Sequence, residues 1–168
     1  MRYLLSLVFL FLFSPQVYAV SQTQIEAVFL EKFTHLIEWP EDSKQKDFTI
    51  CILENQEFAE ALKRIYKNKK FNTKDVNIVP LSRNENIPQC QLLFIGKNVQ
   101  DINNTLKSIA GKPMLTVSDN REHVDNDVMI TMFLLNNRFK YIINNKAAQK
   151  ADIKISYLLL KSAQEVIK

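Results

Sequence analysis

Apolar positions first recur at helical spacing. Ile25, Val28, Phe29, Phe33, Leu36 and Ile37 predict a helix over Gln22–Glu38 with one apolar face. Pro40 disfavours helical geometry at Trp39, the one tryptophan, and is expected to end that helix. The pattern then alternates between runs and periods. Phe48–Leu53 (FTICIL) is apolar on both faces, a buried strand. Glu57–Tyr66 returns to helical spacing with Phe58, Ala61, Leu62 and Ile65 on one face. Val76–Leu81 (VNIVPL) reads as a strand, and its Pro80 points to an edge. Cys90–Gly96 is a further buried strand, Val99–Ala110 a helix stopped by Gly111, and Pro113–Asp119 a fourth strand. After that the alternation ceases. Val128–Leu135 and Arg138–Asn144 predict two strands joined by Asn136-Asn137, a pair suited to the left-handed backbone of a tight hairpin. A short helix over Asn145–Ile153 and a longer one over Ser156–Ile167, capped by Ser156, complete the pattern. The expected fold is a single-domain α/β layered sandwich. Its sheet is largely parallel, with an antiparallel C-terminal hairpin at the edge and helices flanking it.

The first nineteen residues stand outside this pattern. Arg2 is followed by an apolar run from Leu4 to Phe13 and by Val17-Tyr18-Ala19, small at the positions that precede a cut after Ala19. That is a Sec-type signal peptide, too short in its apolar core to span a bilayer stably. Residues 20–168 are then the exported domain, long enough to bury one substantial core. Losing Arg2 lowers the net charge from +4 to +3. This mild excess, carried by Lys63, Arg64, Lys67, Lys69, Lys70 and Lys74, reads as a solvated face rather than a nucleic-acid site.

Cys51 and Cys90 are the two cysteines. In an oxidising compartment such a pair suggests one disulfide, closing a loop of about 40 residues; two buried free thiols are the alternative. The spacing is not that of a redox CxxC pair, and no metal site is indicated.

Little catalytic chemistry is visible. Gly96 and Gly111 are the only glycines, so glycine-rich phosphate or dinucleotide loops are absent and no cofactor is expected. Ser118, Asp119 and His123 follow a strand end, yet no Gly-x-Ser-x-Gly elbow surrounds the serine. Glu38, Glu41 and Asp42 read as solvated charges beside Lys44 and Lys46, and His35 as a helix-flank residue. The apolar excess lies elsewhere. Tyr157, Leu158, Leu159 and Leu160 are consecutive, and four such residues sweep about 300° of a helix, more than one buried face absorbs. Either that helix is sandwiched or it presents an apolar patch, with Tyr157, Leu160 or both available to a partner. Trp39 divides between helix-end packing and partner contact.

Six segments together resemble the YfiR family of bacterial periplasmic proteins. They are AVFLEKFTHLIEWP (27–40), FTICILENQEFAEAL (48–62), CQLLFIG (90–96), GKPMLTVSD (111–119), VMITMFLLNNRFKYIIN (128–144) and AAQKADIKISYLLLKSA (147–163). The resemblance implies a non-enzymatic regulator that binds and represses the periplasmic domain of an inner-membrane diguanylate cyclase. Release comes through sequestration by an OmpA-like outer-membrane lipoprotein, and cyclic-di-GMP and biofilm formation then rise. It also implies a Cys51–Cys90 disulfide; a homodimer is the expected state. Three positions depart from the family pattern: Asp127-Val128 replace Gly-Gly, Thr131 replaces an asparagine, and Asp152 replaces a glycine. Trp39, Tyr157 and Leu160 are the expected partner contacts. The competing expectation is a small-ligand module, using Ser118, Asp119 and Arg121 at the strand ends to serve a sensor kinase or an outer-membrane transport system. An envelope hydrolase built on Ser118 and His123 is a third.

Overall fold

A computed structural model describes residues 21–39, 46–83 and 85–168. The expected signal peptide, Pro40, Glu41, Asp42 and Lys44 fall outside the described residues. In chain order the elements are α1 (Gln22–Thr34), β1 (Ile37–Glu38), β2 (Phe48–Leu53), α2 (Gln56–Tyr66), β3 (Val76–Leu81), β4 (Leu92–Ile95) and α3 (Ile102–Ser108). There follow β5 (Leu115–Ser118), a 3-10 helix (Arg121–Asn126), β6 (Ile130–Leu135), β7 (Arg138–Asn144), α4 (Asn145–Lys150), β8 (Lys154–Ile155), α5 (Tyr157–Ser162) and β9 (Glu165–Ile167).

The main sheet has the order β3-β2-β4-β5-β6-β7-β9, and β6–β7 is its antiparallel pair. Strand residues point alternately to its two faces. Ile50, Ile52, Leu92, Phe94, Leu115 and Val117 face the larger core beneath α1 and α2, where Phe58 stacks on Phe94 at 3.8 Å. Cys51, Leu53, Leu93 and Ile95 face a second core with Ile102 and Leu106 of α3. This is the α/β sandwich that the alternating pattern predicts. The disulfide is present as well: Cys51 of β2 is bonded to Cys90, two residues ahead of β4, with 6.1 Å between their Cα atoms. At the β6–β7 turn Asn136 and Asn137 both take positive φ, 50° and 56°, as a tight hairpin requires.

Four features differ from the expected pattern. First, α1 stops at Thr34 instead of running to Glu38. Its start is fixed by a reciprocal cap between Ser21 and Gln24. At its other end the Trp39 indole Nε1 donates to the Thr34 carbonyl at 2.8 Å, filling one of the acceptors a helix end leaves open. The chain then turns into β1, which pairs antiparallel with β8 through Ile37↔Ile155 and Glu38↔Lys154. Second, the C-terminal helix is only six residues long. After Ala163 the backbone extends, the Gln164 amide donates to the Tyr141 carbonyl at 2.9 Å, and β9 joins β7 in parallel. Its Val166 and Ile167 are β-branched and suit the pleat. The hairpin is therefore not the sheet edge. Third, α3 begins at Ile102, because Asp101 caps it by accepting from the Asn104 amide. Fourth, Asp127 and Asp152 adopt φ of 62° and 55°, so two positions where the resemblance leads one to expect glycine do need the left-handed backbone.

Thr131, at the third departure, is fully buried and its Oγ1 has no hydrogen-bond partner. A buried hydroxyl without a partner costs about 1–3 kcal/mol. Thr131→Val keeps the shape and removes the hydroxyl, so the urea midpoint should rise by the equivalent of about 1 kcal/mol. A lowered midpoint would mean that the hydroxyl is satisfied in solution.

Candidate functional site

The surface candidate starts with Ser156, whose Oγ accepts from the Leu159 amide and opens α5. A helix of six residues turns fewer than two times, so each side chain has its own direction. Leu159 points into the core at 1% exposure, and Leu160 packs half-buried beside it. Tyr157 and Leu158 point outward and are 72% and 66% exposed. The other exposed large apolar residues, Val28, Leu134 and Leu135, reach only 38–44%. The α5 pair is thus the most exposed apolar feature among the described residues. The Tyr141 hydroxyl braces the helix from beneath, donating to the Leu159 carbonyl at 3.1 Å and meeting Ser162 Oγ.

Of the three expected contacts, Tyr157 lies on this surface, whereas Leu160 supports it from below. Leu158 was not among them. The four-residue apolar run shows that some residue must face out but carries no phase. Trp39 is half-buried, its ring edge-on to Phe48 at 4.9 Å and to Phe71 at 6.2 Å. Because β1 and β8 are antiparallel, Trp39 and Tyr157 leave that ladder at opposite ends. The structure does not bring them together.

The strand-end candidates diverge. Ser118 is fully buried, with its Oγ 2.7 Å from His123 Nδ1 and accepting from the Asn120 amide at 3.1 Å. Asn120 Nδ2 lies 3.3 Å from the other ring nitrogen of His123. Burial pushes the His123 pKa down, which favours the neutral ring. The Ser118–His123 pair thus ties the 3-10 helix to β5, and the serine oxygen is not presented to solvent. Arg121 is exposed, its guanidinium 5.0 Å from the Phe133 ring centroid. Asp119 opens onto a cavity together with Glu26, Asn55 and Lys97, and His123 lines a second, more open one with Asn120 and Glu122. Burial raises the Asp119 pKa above the ordinary aspartate value.

That shift has a sign that can be tested. An aspartate whose folded pKa is raised favours the folded state more as pH falls from the raised value towards about 4. Above the raised value the full cost of burying the charge is present. Asp119→Asn should therefore raise the unfolding midpoint at neutral pH and remove this gain on acidification. His123 works oppositely: its lowered pKa withdraws stability as pH falls through about 6.5. Subtracting parent from variant cancels the histidine. Parallel midpoint–pH curves would show that Asp119 is not perturbed.

The family model DUF4154, described as YfiR/HmsC-like, matches residues 23–164. No curated protein matches significantly. Among solved structures, a similar fold occurs in the ABC domain in complex with L-Trp from Streptococcus pneumonia. It has a TM-score of 0.54 and 11% identity over 86% of this chain, and the chain spans 60% of that one's length. At this identity the likeness concerns the fold alone. The family match runs from the second helical residue of α1 to the residue before β9, taking in the disulfide, the Asn-Asn hairpin and α5, and the chain belongs to the YfiR/HmsC-like family.

Proposed function

We propose that this protein is a non-enzymatic periplasmic repressor that docks on the periplasmic domain of an inner-membrane diguanylate cyclase through the α5 face around Tyr157 and Leu158. The family implies a periplasmic regulator of cyclic-di-GMP signalling. Among the described residues no helix is long and apolar enough to cross a membrane. The observation that carries the reading is the exposed Tyr157–Leu158 pair on a braced helix. Aromatic and aliphatic side chains held rigidly outward are what an interface core uses, because little conformational freedom is lost on contact. Leu160 supports this surface by seating α5, and Trp39, which closes α1 elsewhere, is not part of it.

Repression requires tighter binding to the inactive cyclase than to the active one. A difference of about 2–3 kcal/mol shifts activity roughly 30- to 150-fold. Release to an OmpA-like outer-membrane lipoprotein would restore cyclase output, and a homodimer is the expected state. The test is a Tyr157→Ser/Leu158→Ser double variant in cells carrying the cyclase. Cyclic-di-GMP should rise to the level of a strain lacking the regulator, while the purified variant keeps its unfolding midpoint. Full repression by the folded variant would reject this surface.

A further inference from the structure

After β2 the chain forms β3 on one side and then crosses back to place β4 on the other. Open α/β sheets bind ligands at the carboxyl ends of the strands where the order reverses in this way. Here that point opens into a cavity of about 340 Å³, within the size range of small-molecule sites. Its walls are polar: Glu26 from α1, Glu54 and Asn55 between β2 and α2, Glu57 in the first turn of α2, Lys97 after β4, and Asp119 after β5.

Two acids in it have a single side-chain donor each among the described residues. Among the described residues, Asp119 Oδ1 is wholly buried and accepts no hydrogen bond, and Oδ2 receives one side-chain donor, Asn55 Nδ2, at 3.3 Å. The backbone amides of Asp119 and Lys97 favour its charged form, yet neither closes a bond to Oδ1. Glu26 is 3% exposed, and among the described residues it receives a single donor, Gln22 Nε2 at 2.7 Å. Burial raises its pKa as well, and the charges of Asp119 and Glu57 add to the effect. Glu54 differs, being held by Arg83 through contacts of 2.9 and 3.3 Å. Lys97 is near enough to favour both buried carboxylates but is exposed and forms no ion pair with either.

What the two carboxylates lack is a positively charged donor in direct contact, since Lys97 lines the cleft without bonding to either. A divalent cation needs several converging ligands, and among the described residues no three suitable groups come together. An anion would meet Glu26, Glu57 and Asp119. We propose that this cleft is a binding site for a small cationic amine, its ammonium donating to the carboxylates of Asp119 and Glu26. The proposal is independent of the α5 docking surface.

Calorimetric titration of the disulfide-intact protein with 1,4-diaminobutane tests it, with glycine and succinate in parallel. Saturable diamine binding is expected, weakened about tenfold or more in Asp119→Asn and again in Glu26→Gln. Glycine and succinate should give no saturable heat. Lys97→Gln, an exposed change that removes a competing cation, should tighten diamine binding and keeps the test open should a buried variant fail to fold. No saturable diamine binding up to about 10 mM, far weaker than a specific site would show, overturns the proposal. So does equal binding by parent and both acid variants, weaker binding by Lys97→Gln, or glycine or succinate binding as tightly as the diamine.

Discussion

Reducing the Cys51–Cys90 disulfide should lower the free energy of unfolding by about 4 kcal/mol, because the bond closes a loop across 39 residues of the unfolded chain. The loss is large against the roughly 5–15 kcal/mol that holds a domain of this kind together. Its context adds to it. Cys51 is fully buried in β2, Cys90 almost so, and both belong to the smaller core beneath α3. That core has fewer large side chains than the one under α1 and α2, so a crosslink there supports the weaker layer. Reduction and substitution should be compared. Reductant removes the bond and leaves two buried thiols, which pack as small apolar groups. Cys51→Ser adds a buried hydroxyl and should cost more than reduction does. Urea unfolding with and without reductant measures the first effect, and the serine variant the second. Far-ultraviolet circular dichroism of the reduced folded protein should be unchanged at room temperature. An unfolding midpoint insensitive to reductant would mean that the bond does not form in solution.

Gly96→Ala should be far more damaging than an added methyl at the other glycine, destabilising by about 1–3 kcal/mol or more. Gly96 follows β4 and donates its amide to the Leu53 carbonyl at 2.8 Å. A Cβ at this position would stand 2.7 Å from the Glu54 carbonyl oxygen and 2.8 Å from that of Leu53. Both obstacles are backbone, so no side chain can swing aside to make room. Relief requires the end of β2 to move away from β4, and Glu54, already at a φ of 53°, sits in that stretch. Calorimetry should show a lowered melting temperature. Hydrogen exchange should rise first at the Gly96 amide and neighbouring strand ends, with the β6–β7 hairpin little affected. Gly111→Ala provides the contrast. Its added methyl meets nothing within 4 Å, and only its φ of 77° opposes the change. Equal stability of Gly96→Ala and the parent would refute the crowding.

Much of this architecture was legible from residue order, and what escaped did so for identifiable reasons. FTICIL and LLFI announce buried strands because apolar residues occupy both faces of each. Asn136-Asn137 announces the hairpin because few other residues tolerate two successive left-handed positions. A two-residue strand has no period, however. Ile37 continues the spacing of Phe33 and Leu36 as well as it begins β1, and only its pairing with Ile155 decides. Glu165–Ile167 similarly follows a leucine-rich run and looks like more helix until the unpaired edge of β7 is known. The site was less visible. Asp119 stands at a recognisable strand end, but Glu26, Asn55 and Lys97 reach it from three other parts of the chain, and only the sheet order gathers them. Tyr157 was identifiable as apolar excess, and Leu158 was not, since phase along a short helix is set by what lies beneath it.

The β1–β8 ladder has a consequence for the timing of folding. It joins residues 37–38 to residues 154–155, and β9 at 165–167 then covers the free edge of β7. A chain that emerges amino end first can build β2, α2, β3 and β4 early, from neighbours in sequence. The exit of α1 and the last edge of the sheet must wait for residues 154–167. Because α5 lies between those two closing contacts, the face that would meet a partner takes shape only once β8 and β9 have both found their strands.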